Sequence, residues 1–268
     1  MAPQTTSAMT ICNFKGGVAK TTTAVNLAGS LAREGHAVLL VDCDPQGNAS
    51  EMFLTEDEIA GTLRSVIAER VPVREVIRPT RIDGLHVLPA GFDLALLDKE
   101  LVVSAAGEKR IERALRPVRG EYAYLIFDTG PNLSHLTLGA LVAAEHIIIP
   151  VSAAVWSMSA LAKFMGWIDE QRKDEVVEAA LLGLLATMVD SRTRIGRAVV
   201  SEIHESGHPS FETAIPKRTA AEDAVADRLV TGDPGMHPDL ADAYKAFAAE
   251  VAERAGRRRG GAHRAAAG

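Results

Sequence analysis

MTICNFKGGVAKTTTAVNL, residues 9–27, sets an apolar strand-like run directly before a glycine-rich turn and a helical pattern directly after it. A short loop held between a strand and a helix in this order is the setting that phosphate binding requires. Residues 15–22 within it read KGGVAKTT. Gly16 and Gly17 permit backbone angles closed to other residues, so the N–H groups of the loop, those of Val18 and Ala19 included, turn inward as a nest for phosphate oxygens. The helix that follows adds its positive end at the same spot. Lys20 then reaches the β- and γ-phosphates as a point charge, Thr21 places its hydroxyl on Mg²⁺, and Thr22 bonds an α-phosphate oxygen. The expected ligands are ATP and Mg²⁺.

Outward from this segment, short β-branched runs alternate with amphipathic helical stretches, the signature of an α/β fold with a doubly wound, mostly parallel sheet flanked by helices. Strands are expected near 9–14, 37–43, 85–89, 122–128, 146–151, 181–189 and 211–215. Runs such as AVLLV and HIIIP are apolar at nearly every position, as where both faces of a sheet are buried. Helices are expected near 20–34, 93–102, 107–116, 134–144, 157–174, 194–206, 219–229 and 237–255. One domain over 9–255 follows, with a flexible N-terminus at 1–8 and a tail at 256–268. From Arg254 the sequence RAGRRRGGAHRAAAG holds five arginines and no acid, which reads as basic and disordered.

At 268 residues and 47% hydrophobic composition the chain can bury a large core. Its apolar runs are shorter than the roughly 18 residues of a membrane span, and the first residues lack the order of a signal peptide, so a cytoplasmic protein is expected. Cys12 and Cys43 sit inside strand-like segments with no CxxC spacing, as small core residues. A formal charge of −6 repels nucleic acid as a whole, so any DNA contact needs a local basic patch.

KGGVAKTT departs from the general pattern GxxxxGK[ST] and matches the form KGGxxKT[ST], which resembles the Walker A motif of the ParA/MinD family. The resemblance implies that Lys15, at the place of that family's signature lysine, crosses a dimer interface to the partner's nucleotide. There it neutralises charge developing on the transferred phosphoryl group. Ala19 replaces a glycine usual in the family, and φ > 0 at this position would cost about 1 kcal/mol or more.

DCDPQGN at 42–48 is similar to the family's DxDPQGN, which implies that Asp44 orients the attacking water and Asp42 supports the Mg²⁺ shell. YAYLIFDTGP ends in Asp128 as a Walker B strand does, which implies a carboxylate on Mg²⁺. Gly130 and Asn132 stand where the family usually has proline and serine. LLATMVDSRTRIGRAVV and FETAIPKRTAAEDAV resemble the later blocks of chromosome- and plasmid-partition members, in which the loop after Ile-Pro packs on adenine. This assigns Met188, Pro216 and Lys217 to the nucleotide. Those relatives hold DNA without regard to sequence, with Arg192 at a matching position and Arg194, Arg197 and Arg218 near it, whereas a second family arginine falls at Ala220.

The implied partners are a second copy in an ATP sandwich dimer, a ParB-like activator and duplex DNA, which places the protein on the nucleoid. A membrane-cycling regulator like MinD is the alternative, but it would end in an amphipathic helix with a bulky apolar face, and the last helix here offers only Tyr244 and Phe247. A protein-cargo-positioning ATPase stays open, because the cargo is read by a partner. A nitrogenase-like iron protein would need cluster cysteines where Cys12 and Cys43 do not lie.

Overall fold

A computed structural model describes residues 6–153 and 158–266. It contains an eight-stranded sheet in the order β3-β4-β2-β5-β1-β6-β7-β8. The strands are β1 (Ser7–Ile11), β2 (Val38–Asp42), β3 (Arg78–Pro79), β4 (Leu85–Leu88), β5 (Tyr124–Asp128), β6 (His146–Ser152), β7 (Ala180–Val189) and β8 (Ser210–Pro216). Every pairing is parallel except that of β3 with β4 at the edge. The helices are α1 (Lys20–Arg33), α2 (Asn48–Glu51), α3 (Leu63–Ile67), α4 (Val73–Val76), α5 (Leu94–Val102), α6 (Arg110–Leu115), α7 (His135–Ala143), α8 (Met158–Lys173), α9 (Arg194–Glu205), α10 (Ala220–Ala226) and α11 (Pro238–Ala266).

The continuous apolar runs are divided between two cores by the two-residue period of a strand. Leu39 and Val41 of β2, with Leu125 and Phe127 of β5, face the layer containing Leu94, Leu136 and Phe164. Val38, Leu40, Tyr124 and Ile126 face the layer containing Leu27, Leu31 and Phe247. β1 lies between β5 and β6. The connection leaving β1 through α1 packs on one face, and that leaving β5 through α7 packs on the other. Two connections that diverge in this way open a crevice at the carboxyl ends of the strands, where open α/β sheets bind ligands.

All seven expected strands are present. The short edge strand β3 and the short helices α2, α3 and α4 carry no period long enough to be read from sequence. β1 begins at Ser7, inside the stretch expected to be flexible, while residues 1–5 lie outside the described residues. α11 corrects a second expectation: its backbone is helical through Ala266, so the helix continues into the segment read as a disordered tail. Alanine and arginine are both strong helix formers, which offsets the glycines there. The side chains of residues 257–268, including the tail arginines, lie outside the described residues. Tyr244 and Phe247, the tyrosine and phenylalanine of this helix, are buried against β8 and α1. Among the described residues no helix is long and apolar enough to cross a membrane.

Candidate nucleotide site

The turn between β1 and α1 is held in place from three sides. Asn13 donates from Nδ2 to Pro150 O (2.8 Å) and accepts at Oδ1 from Lys15 N–H (3.0 Å), which starts the turn. Thr187 Oγ1 on β7 donates to Val18 O (3.1 Å). Lys20 Nζ donates to Lys15 O (2.9 Å), so the lysine lies back along the loop. Gly17 has φ 68, the left-handed angle that glycine tolerates best. Gly16 does not share it, yet a Cβ built there meets no atom within 4 Å, so its value is open space in front of the loop. Ala19 takes φ 64, the strained alternative considered from sequence. It caps α1 without a side-chain hydrogen bond, and no acidic residue occupies the first turn, so the leading N–H groups of α1 are available to an anion.

The ends of β2 and β5 bring three aspartates toward this turn. Asp42 and Asp128 are register partners. Asp42 is buried, and both of its oxygens accept from the chain: Oδ1 from Asp44 N–H (3.1 Å), Oδ2 from Ser50 N–H (2.9 Å) and Ser50 O–H (2.7 Å). Burial still raises its pKa to about 6, against the lowering by those hydrogen bonds. Asp128 is equally buried, but neither of its oxygens has a well-formed hydrogen bond within the chain. Burial, then the charge of Asp42, push it well above the usual carboxylate range, while the nearby Thr21 hydroxyl and Lys20 act in the opposite direction. Burial lowers the Lys20 pKa, and the charges of Asp128 and Asp44 oppose that shift. Asp44 accepts at Oδ1 from Gln46 N–H (3.0 Å) and lies against Gly130, where a Cβ would stand 3.3 Å from its carboxylate. Proline or any larger residue at 130 would crowd Asp44.

A cavity of about 640 Å³ extends from the turn. Gly16, Gly17, Val18, Ala19, Lys20, Thr21 and Thr22 line one end, with Asp44 beside them; Met188, Pro216, Lys217 and Arg218 line another part. The three residues assigned to adenine from the resemblance therefore share one cavity with the phosphate loop. Met188 has φ 55 and receives a contact from Ser152 Oγ (3.5 Å to Sδ). Lys15 is half-buried and stands outside the residues that line the cavity.

Sequence reading missed an apolar wall formed by Met52, Leu229, Met236, Leu240 and Tyr244. The spacing of Leu240, Tyr244, Phe247 and Val251 announces a buried helix face, but nothing in it says that the first two would meet a ligand. It also missed Asn26, whose Oδ1 accepts from Thr231 N–H (2.8 Å) and whose Nδ2 donates to Thr22 O (2.8 Å), tying this wall to α1.

Arg192 is exposed and held by both oxygens of Asp190, each at 3.0 Å. The side-chain hydrogen bonds from Arg192 lower the Asp190 pKa to about 2. Arg194 is exposed, Arg197 donates to Ser191 O (2.8 Å), and Arg218 pairs with Asp239 while lining the cavity. Arg197 also donates to Arg192 O (3.1 Å), and Arg218, on the nucleotide cavity, is near enough to Asp190 for its charge to act there.

The residues present fit Mg²⁺. Asp128 offers two carboxylate oxygens without a well-formed hydrogen bond, next to the Thr21 hydroxyl, and both groups are hard donors. Among the described residues no group of three or more His, Cys, Asp or Glu side chains is placed to hold a metal ion; Mg²⁺ takes one or two carboxylates and completes its shell with water and substrate phosphates.

A phosphate nest between β1 and α1, a lysine folded over it and an aspartate at the end of the neighbouring strand define a P-loop nucleotide-binding protein. The model of a family described as AAA domain matches residues 6–179. Chromosome partitioning protein ParA of Myxococcus xanthus is 40% identical over 209 residues, 77% of this chain and 74% of the relative. Sporulation initiation inhibitor protein Soj of Bacillus subtilis is 34% identical over 246 residues, 90% and 96% of the two chains. Among solved structures, cobyrinic acid a,c-diamide synthase of Mycobacterium smegmatis with bound ADP and magnesium superimposes with a TM-score of 0.79 at 29% identity, covering 91% of this chain and 93% of that one. The chain belongs to the ParA/MinD-type family and is an ATPase.

Proposed function

We propose that the protein is a partition ATPase: it dimerises on ATP, binds duplex DNA without regard to sequence, and positions plasmid or chromosome cargo with a ParB-like activator. The observation that carries this reading is the single cavity joining the lysine-bearing loop, Asp44 and the residues after β8. The name of the chromosome partitioning relative supports it at 40% identity.

In the site, Lys20 and the N–H groups of residues 16–22 bind and orient the phosphates. Thr21 and Asp128 would hold Mg²⁺, with Asp42 supporting them from behind. Mg²⁺ supplies charge neutralisation at the phosphates when bound. Asp44 orients the attacking water, and Lys15 reaches the nucleotide of the second copy. Met188, Pro216 and Lys217 pack on the base. Arg192, Arg194 and Arg197 contact DNA phosphates, with Arg218 at the border between them and the nucleotide. Among the described residues of α11 the large apolar side chains, Leu240, Tyr244, Phe247 and Val251, face the core, which favours DNA over lipid as the partner surface.

The test is sedimentation with duplex DNA in ATP and in ADP over a salt series. The expected outcome is retention in ATP alone, with a salt slope that falls by about one unit for each of Arg194→Ala and Arg197→Ala. Equal retention with either nucleotide at low salt would remove the switch.

A further inference from the structure

The loop between β2 and α2 carries Asp44, and both ends of that loop converge on one carboxylate. Asp42 accepts from Asp44 N–H through Oδ1 and from the N–H and O–H of Ser50 through Oδ2. Ser50 Oγ in turn accepts from Ala90 N–H (2.9 Å), just beyond β4. Ser50 is fully buried, so its hydroxyl uses its donor and an acceptor position entirely inside the chain. A line of hydrogen bonds thus runs from Ala90 through Ser50 and Asp42 to the backbone of Asp44. On the far side of Asp44, the Gln46 N–H and the close face of Gly130 restrict the carboxylate. Groups in such a line orient the group at its end, as outer-shell partners orient a metal ligand.

We infer that Ser50 is a positioning residue for hydrolysis, acting through Asp42 to hold Asp44 where it meets water. Ser50 does not line the nucleotide cavity, so its loss changes turnover and leaves ATP affinity alone. The inference rests on the reading of Asp44 as the group that orients water, and it extends that reading by two residues.

The experiment is a double-mutant cycle on the full chain, measuring kcat and, separately, the affinity for a fluorescent ATP analogue. Ser50→Ala is expected to lower kcat about tenfold or more with affinity changed less than about twofold. In an Asp44→Ala background the same substitution is expected to lower the residual rate no further, because residues acting as one unit are not additive. Thr6→Ala, which removes a buried hydroxyl bonded to Tyr122 O (2.9 Å) at the opposite end of the sheet, is the stability control; it should lower the thermal midpoint without moving kcat. Should Ser50→Ala fail to fold, Ser50→Cys keeps the volume with a much weaker donor and carries the same expectation. An unchanged kcat, an equal fall in both backgrounds, or a fall in affinity matching that in kcat would each overturn the role of Ser50. An Asp44→Ala single variant that turns over normally would sink the underlying reading instead, and the role of Ser50 with it.

Discussion

The ends of β2 and β5 lie side by side with Asp42 and Asp128 in register, and the chain treats the two carboxylates in opposite ways. Around Asp42 it closes a loop, meeting the carboxylate with two N–H groups and a hydroxyl. Around Asp128 it supplies no well-formed hydrogen bond, although both residues are fully buried. A buried carboxylate with so little support from the chain is pushed toward its protonated form, with only the nearby Thr21 hydroxyl and Lys20 opposing. The contrast separates a carboxylate held on both oxygens by the chain from one that the chain supports only weakly.

The largest effect expected at this pair comes from the cation that faces it. Lys20→Ala should weaken ATP binding by about 100-fold or more in calorimetry, because it removes the main phosphate contact and leaves Asp128 with less opposing charge; binding within a few-fold of the wild type would break the comparison at its centre. Next comes the pair itself. Asp42→Ala leaves the N–H groups of Asp44 and Ser50 unpaired, at about 1–3 kcal/mol each, and should lower the thermal midpoint of the nucleotide-free protein. Asp128→Asn removes a carboxylate whose charged form burial disfavours and should raise that midpoint while abolishing the gain in nucleotide affinity on adding Mg²⁺. A fall in midpoint for both variants would erase the distinction.

The sign of the pH dependence follows from the same burial. The pKa of Asp42 is raised from 3.8 to about 6, so between these values the folded chain holds more protons than the unfolded chain. The stability contributed by protonation is present below the unfolded pKa and is lost as pH rises through about 6. The nucleotide-free protein should therefore melt at a higher temperature at pH 5.5 than at pH 7.5, and differential scanning calorimetry of Asp128→Asn should show a shallower dependence. A smaller effect tests the third strand end in the site, that of β1. Ala19 sits at φ 64, and Ala19→Gly should relieve about 1 kcal/mol of strain, raising the thermal midpoint by about 2–4 °C.

The phosphate loop was readable because its chemistry is local: KGGVAKTT carries nest, charge and hydroxyl within eight consecutive residues. The seven main strands were readable because two-sided burial leaves unbroken apolar runs such as HIIIPV. The resemblance assigned Met188, Pro216 and Lys217 to the nucleotide, and all three line the cavity that the phosphate loop opens into. Ser50 and the wall of Leu229, Met236, Leu240 and Tyr244 gave no signal. A buried serine after DPQGN looks like any helix-start serine, and Leu240 and Tyr244 look like ordinary core positions. The basic stretch at 192–197 was visible as charge, but the bidentate hold of Asp190 on Arg192 depends on the turn that folds them together.

Hydrophobic period and turn chemistry act over a few residues, so the order of residues specifies a parallel α/β sheet with a phosphate nest after its first strand. How strongly each of two identical aspartate side chains is supported depends instead on the assembled fold. Partners for a buried carboxylate come from segments far apart in the chain, and their arrival follows from how β2, β4 and β5 pack: Asp42 receives the Asp44 N–H and both donors of Ser50, whereas Asp128 has only the nearby Thr21 hydroxyl and Lys20 of α1 to oppose its burial.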